Sequence, residues 1–336
     1  MKAVQVQAPL VAGIVDIPDL TQPAVNEVLL RVDLVGMCGT DLTTFRGANP
    51  MVAFPRILGH EVAATVVEDA AGLSAGTRVT VSPYTHCGVC ASCRRGRFNA
   101  CRNNQTMGVQ RDGAMTEYIS LPRQRLYTAN LSSRELCLVE PLTVGAHAAA
   151  RGRIAPEDTV AVFGCGGIGL GAIASAAFRG AVTIAIDQDD NKLEIARKAG
   201  AAHLINTATQ NLHTRLADIT SGNGPDVAIE AIGLPLTFRA AVEEVAFTGC
   251  VVYIGYTKEP VSYETRLFVQ KELDILGSRN ALPEDFQAVI RMLEAGKFPV
   301  DDAVSAIVPP EQAAHMLAQW SVSPAKFTKI MVQMTD

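Results

Sequence analysis

Short apolar runs broken by Gly and Pro fill the chain up to about residue 140, at 27–35, 61–68, 78–82 and 116–121. Such runs read as partly buried strands, and their punctuation predicts a compact, mostly antiparallel β domain with long loops. From about 155 to 277 the texture changes. Apolar strand cores at 160–163, 182–186, 227–229, 251–254 and 273–276 alternate with helix-length segments such as 191–199 and 236–246. That alternation is the signature of βαβ units and a parallel sheet. Beyond Arg279 the pattern predicts two helices, 283–295 and 310–319, and a last strand at 327–333. A tail of that size cannot bury a core of its own and is expected to dock on an earlier domain. The fold class is therefore α/β, a doubly wound parallel sheet joined to a β-rich domain.

With 336 residues the chain has room for about two domains. Hydrophobic residues make up 48% and charged residues 19%, which excludes a disordered, collagen-like or coiled-coil chain. A net charge of −5 gives no general attraction to nucleic acid or to anionic membranes. The first residues alternate like a strand and contain no run long enough for a signal-peptide core, so a cytoplasmic location is expected. One stretch imitates a membrane span, since residues 159–178 carry no charge. Five glycines inside it, at 164, 166, 167, 169 and 171, divide it into a strand, a tight turn and a helix. No membrane partner is expected.

That turn is the first motif with chemistry. Gly164-Cys165-Gly166-Gly167-Ile168-Gly169 fits G-x-G-x-x-G after a strand and at the start of a helix. Glycines there permit a tight turn and let a pyrophosphate approach the helix N-terminus. Asp187, at the end of the next strand, is placed to accept both ribose hydroxyls of NAD and to repel the 2′-phosphate of NADP. The second motif is Cys87-x2-Cys90-x2-Cys93-x7-Cys101. Four thiolates at this spacing can enclose one tetrahedral Zn²⁺ with no open position, which is a structural site. Arg94, Arg95 and Arg97 beside it raise the alternative of a nucleic-acid-binding zinc ribbon; the acidic balance of the chain disfavours it, and no nucleic-acid partner is expected. The third constellation is dispersed: Cys38-Gly39-Thr40-Asp41, Gly59-His60-Glu61 and Glu140-Pro141-Leu142. Together they offer a thiolate, an imidazole and carboxylates, the mixed ligand set of an open catalytic zinc site. Two zinc ions per chain are therefore expected.

These motifs occur in the order found in zinc-dependent medium-chain dehydrogenases, and the resemblance covers essentially the whole chain. Glu140 in Glu-Pro-Leu, where classical alcohol dehydrogenases use a cysteine, resembles the sorbitol and threonine dehydrogenase branch. Within that branch, Phe54-Pro55-Arg56-Ile57-Leu58-Gly59-His60-Glu61 and Leu276-Gly277-Ser278-Arg279-Asn280-Ala281 look like bacterial L-gulonate/L-galactonate 5-dehydrogenases. The resemblance implies a β-rich, GroES-like catalytic domain of residues 1–143 with 279–336, carrying the structural zinc lobe at about 84–104. It implies a Rossmann NAD-binding domain at 144–278, with the site in the cleft where the two meet.

By position, the family implies that Cys38, His60, Glu61 and Glu140 surround the catalytic zinc. Cys38 and His60 are the constant ligands, while Glu61 and Glu140 bind either directly or with water intervening. Thr40 stands where the family passes the substrate proton outward; Thr43 stands where the family usually has a histidine, which interrupts the outer relay. Gly164, Gly166, Gly167, Ile168 and Gly169 would hold the pyrophosphate and Asp187 with Lys192 the adenosine ribose. Ile254, Gly255, Tyr256, Ser278, Arg279 and Asn280 would frame the nicotinamide. The implied reaction is reversible oxidation of a secondary alcohol of a polyol or sugar acid by NAD, with zinc as Lewis acid. L-gulonate or L-galactonate oxidised at C5 is the leading substrate, with Arg56, Arg111 and Arg279 as candidate partners for its carboxylate. A sorbitol-like or threonine-like dehydrogenase is the alternative, and a non-catalytic NAD(H)-binding redox sensor is the alternative from another class. A homotetramer is expected, with a homodimer as the alternative.

Overall fold

The computed structural model describes residues 1–335. Two compact units divide the chain: Met1–Glu140 together with the segment from Val300 onward, and Pro141–Pro299.

The first unit is built on the long strand Glu27–Met37. It pairs antiparallel with Glu61–Val66, Tyr118–Pro122 and Ile330–Gln333, in a seven-stranded sheet completed by Arg78–Val81, Leu126–Thr128 and Ala306–Val308. A second sheet of three strands orders Val11–Asp16, Lys2–Ala8 and Arg56–Ile57. The inward residues form one core that includes Leu30, Val35, Val62, Val79, Met115 and Trp320. Each large side chain so removed from water contributes about 1.5–3 kcal/mol. Trp320 and Leu317 come from the helix Pro310–Val322, so the tail does dock on the β-rich part of the chain.

The second unit is a six-stranded, all-parallel sheet. Its order is His203–Asn206, Val182–Asp187, Thr159–Phe163, Val227–Glu230, Cys250–Tyr253, Asp274–Gly277. Buried on both faces, these strands read as continuous apolar runs rather than alternations. The uncharged stretch at 159–178 is the strand Thr159–Phe163, a turn and the helix Gly167–Phe178. No helix among the described residues is long and apolar enough to cross a membrane.

Three features differ from the sequence-based expectation. The helix Ser133–Arg151 runs through a region read as β texture; Pro141 lies inside it, and the division between the units falls between Glu140 and Pro141. The strand His203–Asn206 is only four residues long and was not anticipated. The helix Pro283–Glu294 belongs to the second unit, which places the later boundary at 299 rather than near 279. Asp285 explains this placement. It caps its own helix through Leu282 N–H at 2.7 Å and meets the buried His147 ring at 2.8 Å.

Candidate active site

In the first unit, Cys38 is the N-cap of the short helix Gly39–Phe45, and its N–H donates to Asp41 Oδ2 at 2.9 Å. The other oxygen of Asp41 accepts Gly59 N–H at 3.4 Å. Asp41, fully buried, therefore ties the turn bearing Cys38 to the turn bearing His60. Burial pushes its carboxyl above the ordinary value, with His60 pulling the other way. Cys38, His60 and Glu61 then offer ligand atoms that all lie within 4.8 Å of one another.

Glu140 reaches the same neighbourhood from the Ser133–Arg151 helix. Tyr84, also buried, donates its hydroxyl to Glu140 Oε1. Burial raises the Glu140 pKa; His60 opposes the shift, while the like charge of Glu61 adds to it. Both oxygens of Glu61 lie 2.6 Å from Lys329 Nζ, which also donates to Met37 O at 3.2 Å. Burial disfavours the Lys329 ammonium, but Glu61, with Cys38 and Cys137 adding to it, outweighs this and its pKa lies above the ordinary lysine value.

The donor set fits zinc. A thiol, an imidazole and a carboxylate converge, and His60 Nδ1 is buried without a hydrogen-bond partner among the described residues, so the protein does not engage both ring nitrogens. Thr40 Oγ1 lies 3.7 Å from Cys38 Sγ, beside the cluster. Thr43 Oγ1 donates to Thr40 O at 2.9 Å, so this hydroxyl is engaged within its own helix.

The four clustered cysteines meet the same test more sharply. Tetrahedral thiolates around zinc, each at ~2.3 Å, stand about 3.8 Å apart. Here Cys90 Sγ is 3.5 Å from Cys93 Sγ and 3.8 Å from Cys101 Sγ, and Cys101 Sγ is 3.6 Å from Cys87 Sγ. All four are free thiols rather than disulfides. Cys101 Sγ also accepts N–H groups of Cys87 and Asn103, each at 3.4 Å. The Ser92 hydroxyl and backbone N–H groups bring the Cys90 thiol down to about 5, while burial and the bonds to Cys90 and Cys101 push Cys93 up to about 11.

In the second unit every expected cofactor residue lies at or just beyond the C-terminal end of a parallel strand, where such sheets bind ligands. Gly164 turns the chain at φ +98°, and a Cβ on Gly169 would lie 1.8 Å from Gly164 O. Gly166, Gly167 and Ile168 then begin the helix, whose first N–H groups have no helical partner. Asp187 Oδ2 accepts Cys165 N–H at 2.8 Å, while Oδ1 accepts Gln188 N–H at 2.7 Å and Asp189 N–H at 3.2 Å. The carboxylate is thus fixed before any ligand arrives. The charge of Lys192 is felt at Cys165, next to this turn. Ile254 and Gly255 donate to Glu230 O at 2.9 and 3.1 Å, Tyr256 is exposed, and Ser278 N–H donates to Tyr253 O at 2.8 Å. Arg279 and Asn280 follow, Asn280 at φ +53°.

Sequence reasoning missed Tyr84 and Lys329, and gave Asp41 no role. Asp41 stood inside a quoted motif. Nothing local marks the other two, which lie 56 and 268 residues from their carboxylate partners.

Residues 24–130 match the alcohol dehydrogenase GroES-like domain family, and residues 167–295 match the zinc-binding dehydrogenase family. The chain is 34% identical over 283 residues to L-galactonate-5-dehydrogenase of Escherichia coli K12, covering 83% of each chain. It is 37% identical over 272 residues to sorbitol dehydrogenase of Bacillus subtilis 168, covering 78% of this chain and 76% of that one. A short chain alcohol dehydrogenase from E. coli CFT073, solved with NADH, superposes with a TM-score of 0.90 at 27% identity, covering 99% of each chain.

Proposed function

Starting from membership of the zinc-dependent alcohol dehydrogenase family, to which this chain belongs as an oxidoreductase acting on CH–OH donors, we propose that it oxidises a secondary alcohol of a sugar acid, reversibly and with NAD. L-Gulonate or L-galactonate, oxidised at C5 to the ketone, is the proposed substrate. The observation that carries the dehydrogenase reading is the convergence of Cys38, His60 and Glu61, with Glu140 beside them, in a chain that also has an ordered dinucleotide turn.

Cys38 and His60 would hold a catalytic zinc with Glu61 and Glu140 near it, and Cys87, Cys90, Cys93 and Cys101 a structural one. When bound, the catalytic zinc supplies Lewis-acid polarisation of the alcohol oxygen and NAD supplies the hydride acceptor. The residues do the rest. Thr40 gives the hydroxyl proton a first acceptor. Asp41 keeps the Cys38 and His60 turns at a fixed spacing. Tyr84 orients Glu140, and Lys329 neutralises Glu61, so the cluster is not a pair of bare buried carboxylates. Asp187 supports a preference for NAD, because its oxygens are already anchored and would repel a 2′-phosphate.

The sugar-acid assignment rests on the L-galactonate-5-dehydrogenase relative and on one arginine. Arg56 is committed to Asp112 at 2.9 Å. Arg111 is not. Burial, with Arg125 adding to it and Glu27 opposing, brings its guanidinium down to about 10, and it donates to Gln105 O and Pro83 O, each at 3.3 Å. A guanidinium bonded only to carbonyls at 3.3 Å still has donors to offer a substrate carboxylate. Assembly as a homo-oligomer, a tetramer before a dimer, is part of the proposal; the open edge strand Asp274–Gly277, with Ile275 exposed, is a surface suited to it.

The test is a panel of aldonates, polyols and amino alcohols assayed by NADH absorbance. The expected order of kcat/KM places L-gulonate or L-galactonate first, with that selectivity weakened in Arg111→Ala. Far more efficient turnover of sorbitol, threonine or a simple secondary alcohol would refute the sugar-acid assignment and leave the dehydrogenase standing.

A further inference from the structure

Glu230 closes the strand Val227–Glu230 and is fully buried, yet neither the fingerprint motif nor the zinc cluster uses it. Its two oxygens are treated unequally. Oε1 accepts Ile232 N–H at 2.9 Å, Gly233 N–H at 2.7 Å and the Thr237 hydroxyl at 2.8 Å. Oε2 is buried and takes no hydrogen bond among the described residues. It faces Gly255, where a Cβ would lie 2.5 Å from Oε2 and 2.5 Å from Gly233 N. In turn, a Cβ on Gly233 would lie 2.9 Å from Tyr256 O, and one on Gly164 would lie 2.7 Å from Ile232 Cγ1. One carboxylate thus pins the 231–234 turn between the glycine turn at 164 and the 254–256 segment.

The strand order says what passes over this turn. Thr159–Phe163 lies between Val182–Asp187 on one side and Val227–Glu230, then Cys250–Tyr253, on the other. A dinucleotide laid across that switch point with its adenosine ribose on Asp187 must carry its other half over the ends of the Glu230 and Tyr253 strands. Apolar side chains are exposed there, Ile232 at 42% and Tyr256 at 77%.

Resting on the NAD reading above, we propose that Glu230 is a positioning residue for the nicotinamide ring of the cofactor. It touches no ligand itself. By holding Ile232 and Gly233 against Gly255 it sets the surface on which the ring rests, and three donors on one anionic oxygen make that hold stiff.

The experiment compares two ligands by titration calorimetry on the full-length, zinc-loaded protein. ADP-ribose carries both riboses and the pyrophosphate but no nicotinamide ring; NADH carries the ring as well. Glu230→Gln keeps the side-chain shape but removes the charge and sets an amide N–H₂ against Gly255. Thr237→Val keeps Glu230 and removes the hydroxyl that donates to its Oε1. Thermal melts identify which variant folds, and either suffices. The expected result is wild-type affinity for ADP-ribose with NADH weakened on the order of tenfold, the scale of a lost charge-assisted contact. Equal weakening of both ligands, or of neither, overturns the proposal. A wild type that binds ADP-ribose and NADH equally well overturns it too, by removing any nicotinamide contact to position. A wild type that binds neither ligand overturns the NAD reading and this proposal with it.

Discussion

At the scale of single residues, the two threonines of the first helix have become different groups. Thr40 presents its hydroxyl beside Cys38, whereas Thr43 has turned its own back onto Thr40 O. Proton relays contribute ~10²–10⁴-fold to turnover. Thr40→Val is expected to lower kcat within that range and Thr43→Val to leave it nearly unchanged; equal losses in steady-state assays would mean the proton leaves by another route. Lys329 is the second residue whose removal is informative. It is the cation held between both oxygens of Glu61, and the pair is buried. Lys329→Met strands a buried carboxylate, which typically costs about 3–5 kcal/mol. A urea denaturation midpoint that does not move would show that Glu61 is balanced without its lysine.

At the scale of elements, the cofactor turn is held by a residue of the next strand. Asp187 binds Cys165 N–H inside the glycine turn as well as the N–H groups that follow it. Asp187→Ala is therefore expected to do two things at once. It relaxes NAD-over-NADP discrimination by roughly 1–3 kcal/mol, the scale of a charged hydrogen bond, and it speeds amide hydrogen exchange at residues 164–167. Loss of discrimination with unchanged exchange would separate the two roles. The turn itself was legible in the sequence because glycines at 164 and 169 are required by steric contact at fixed spacing. The helix Ser133–Arg151 was not. Its apolar run has no clean polar face and holds Pro141, so its periodicity carried no helical signal. The strand His203–Asn206 was too short to stand out, and the helix Pro283–Glu294 joined the second unit through a His147–Asp285 contact that spans 138 residues. Local chemistry writes itself into adjacent residues; the partners that balance its charge, Tyr84 and Lys329, arrive through the fold and leave no mark beside the motif.

At the scale of the whole molecule, the two groups of metal-ligand side chains differ in character. The lobe offers four thiols at spacings near the tetrahedral value, whereas the Cys38–His60–Glu61 cluster offers three mixed donors, the pattern of a site with an exchangeable position. Closed sites release metal more slowly, so graded chelation is expected to separate the two. The most direct test of the central claim is metal content and alcohol-dependent NADH formation followed together on one sample during mild chelation and zinc add-back. Two zinc ions per chain are expected at full activity, with loss of activity on release of the first ion while circular dichroism still reports the fold, and recovery when zinc returns. Full activity in protein that carries a single zinc per chain, or no NADH from any alcohol at full zinc loading, would contradict it.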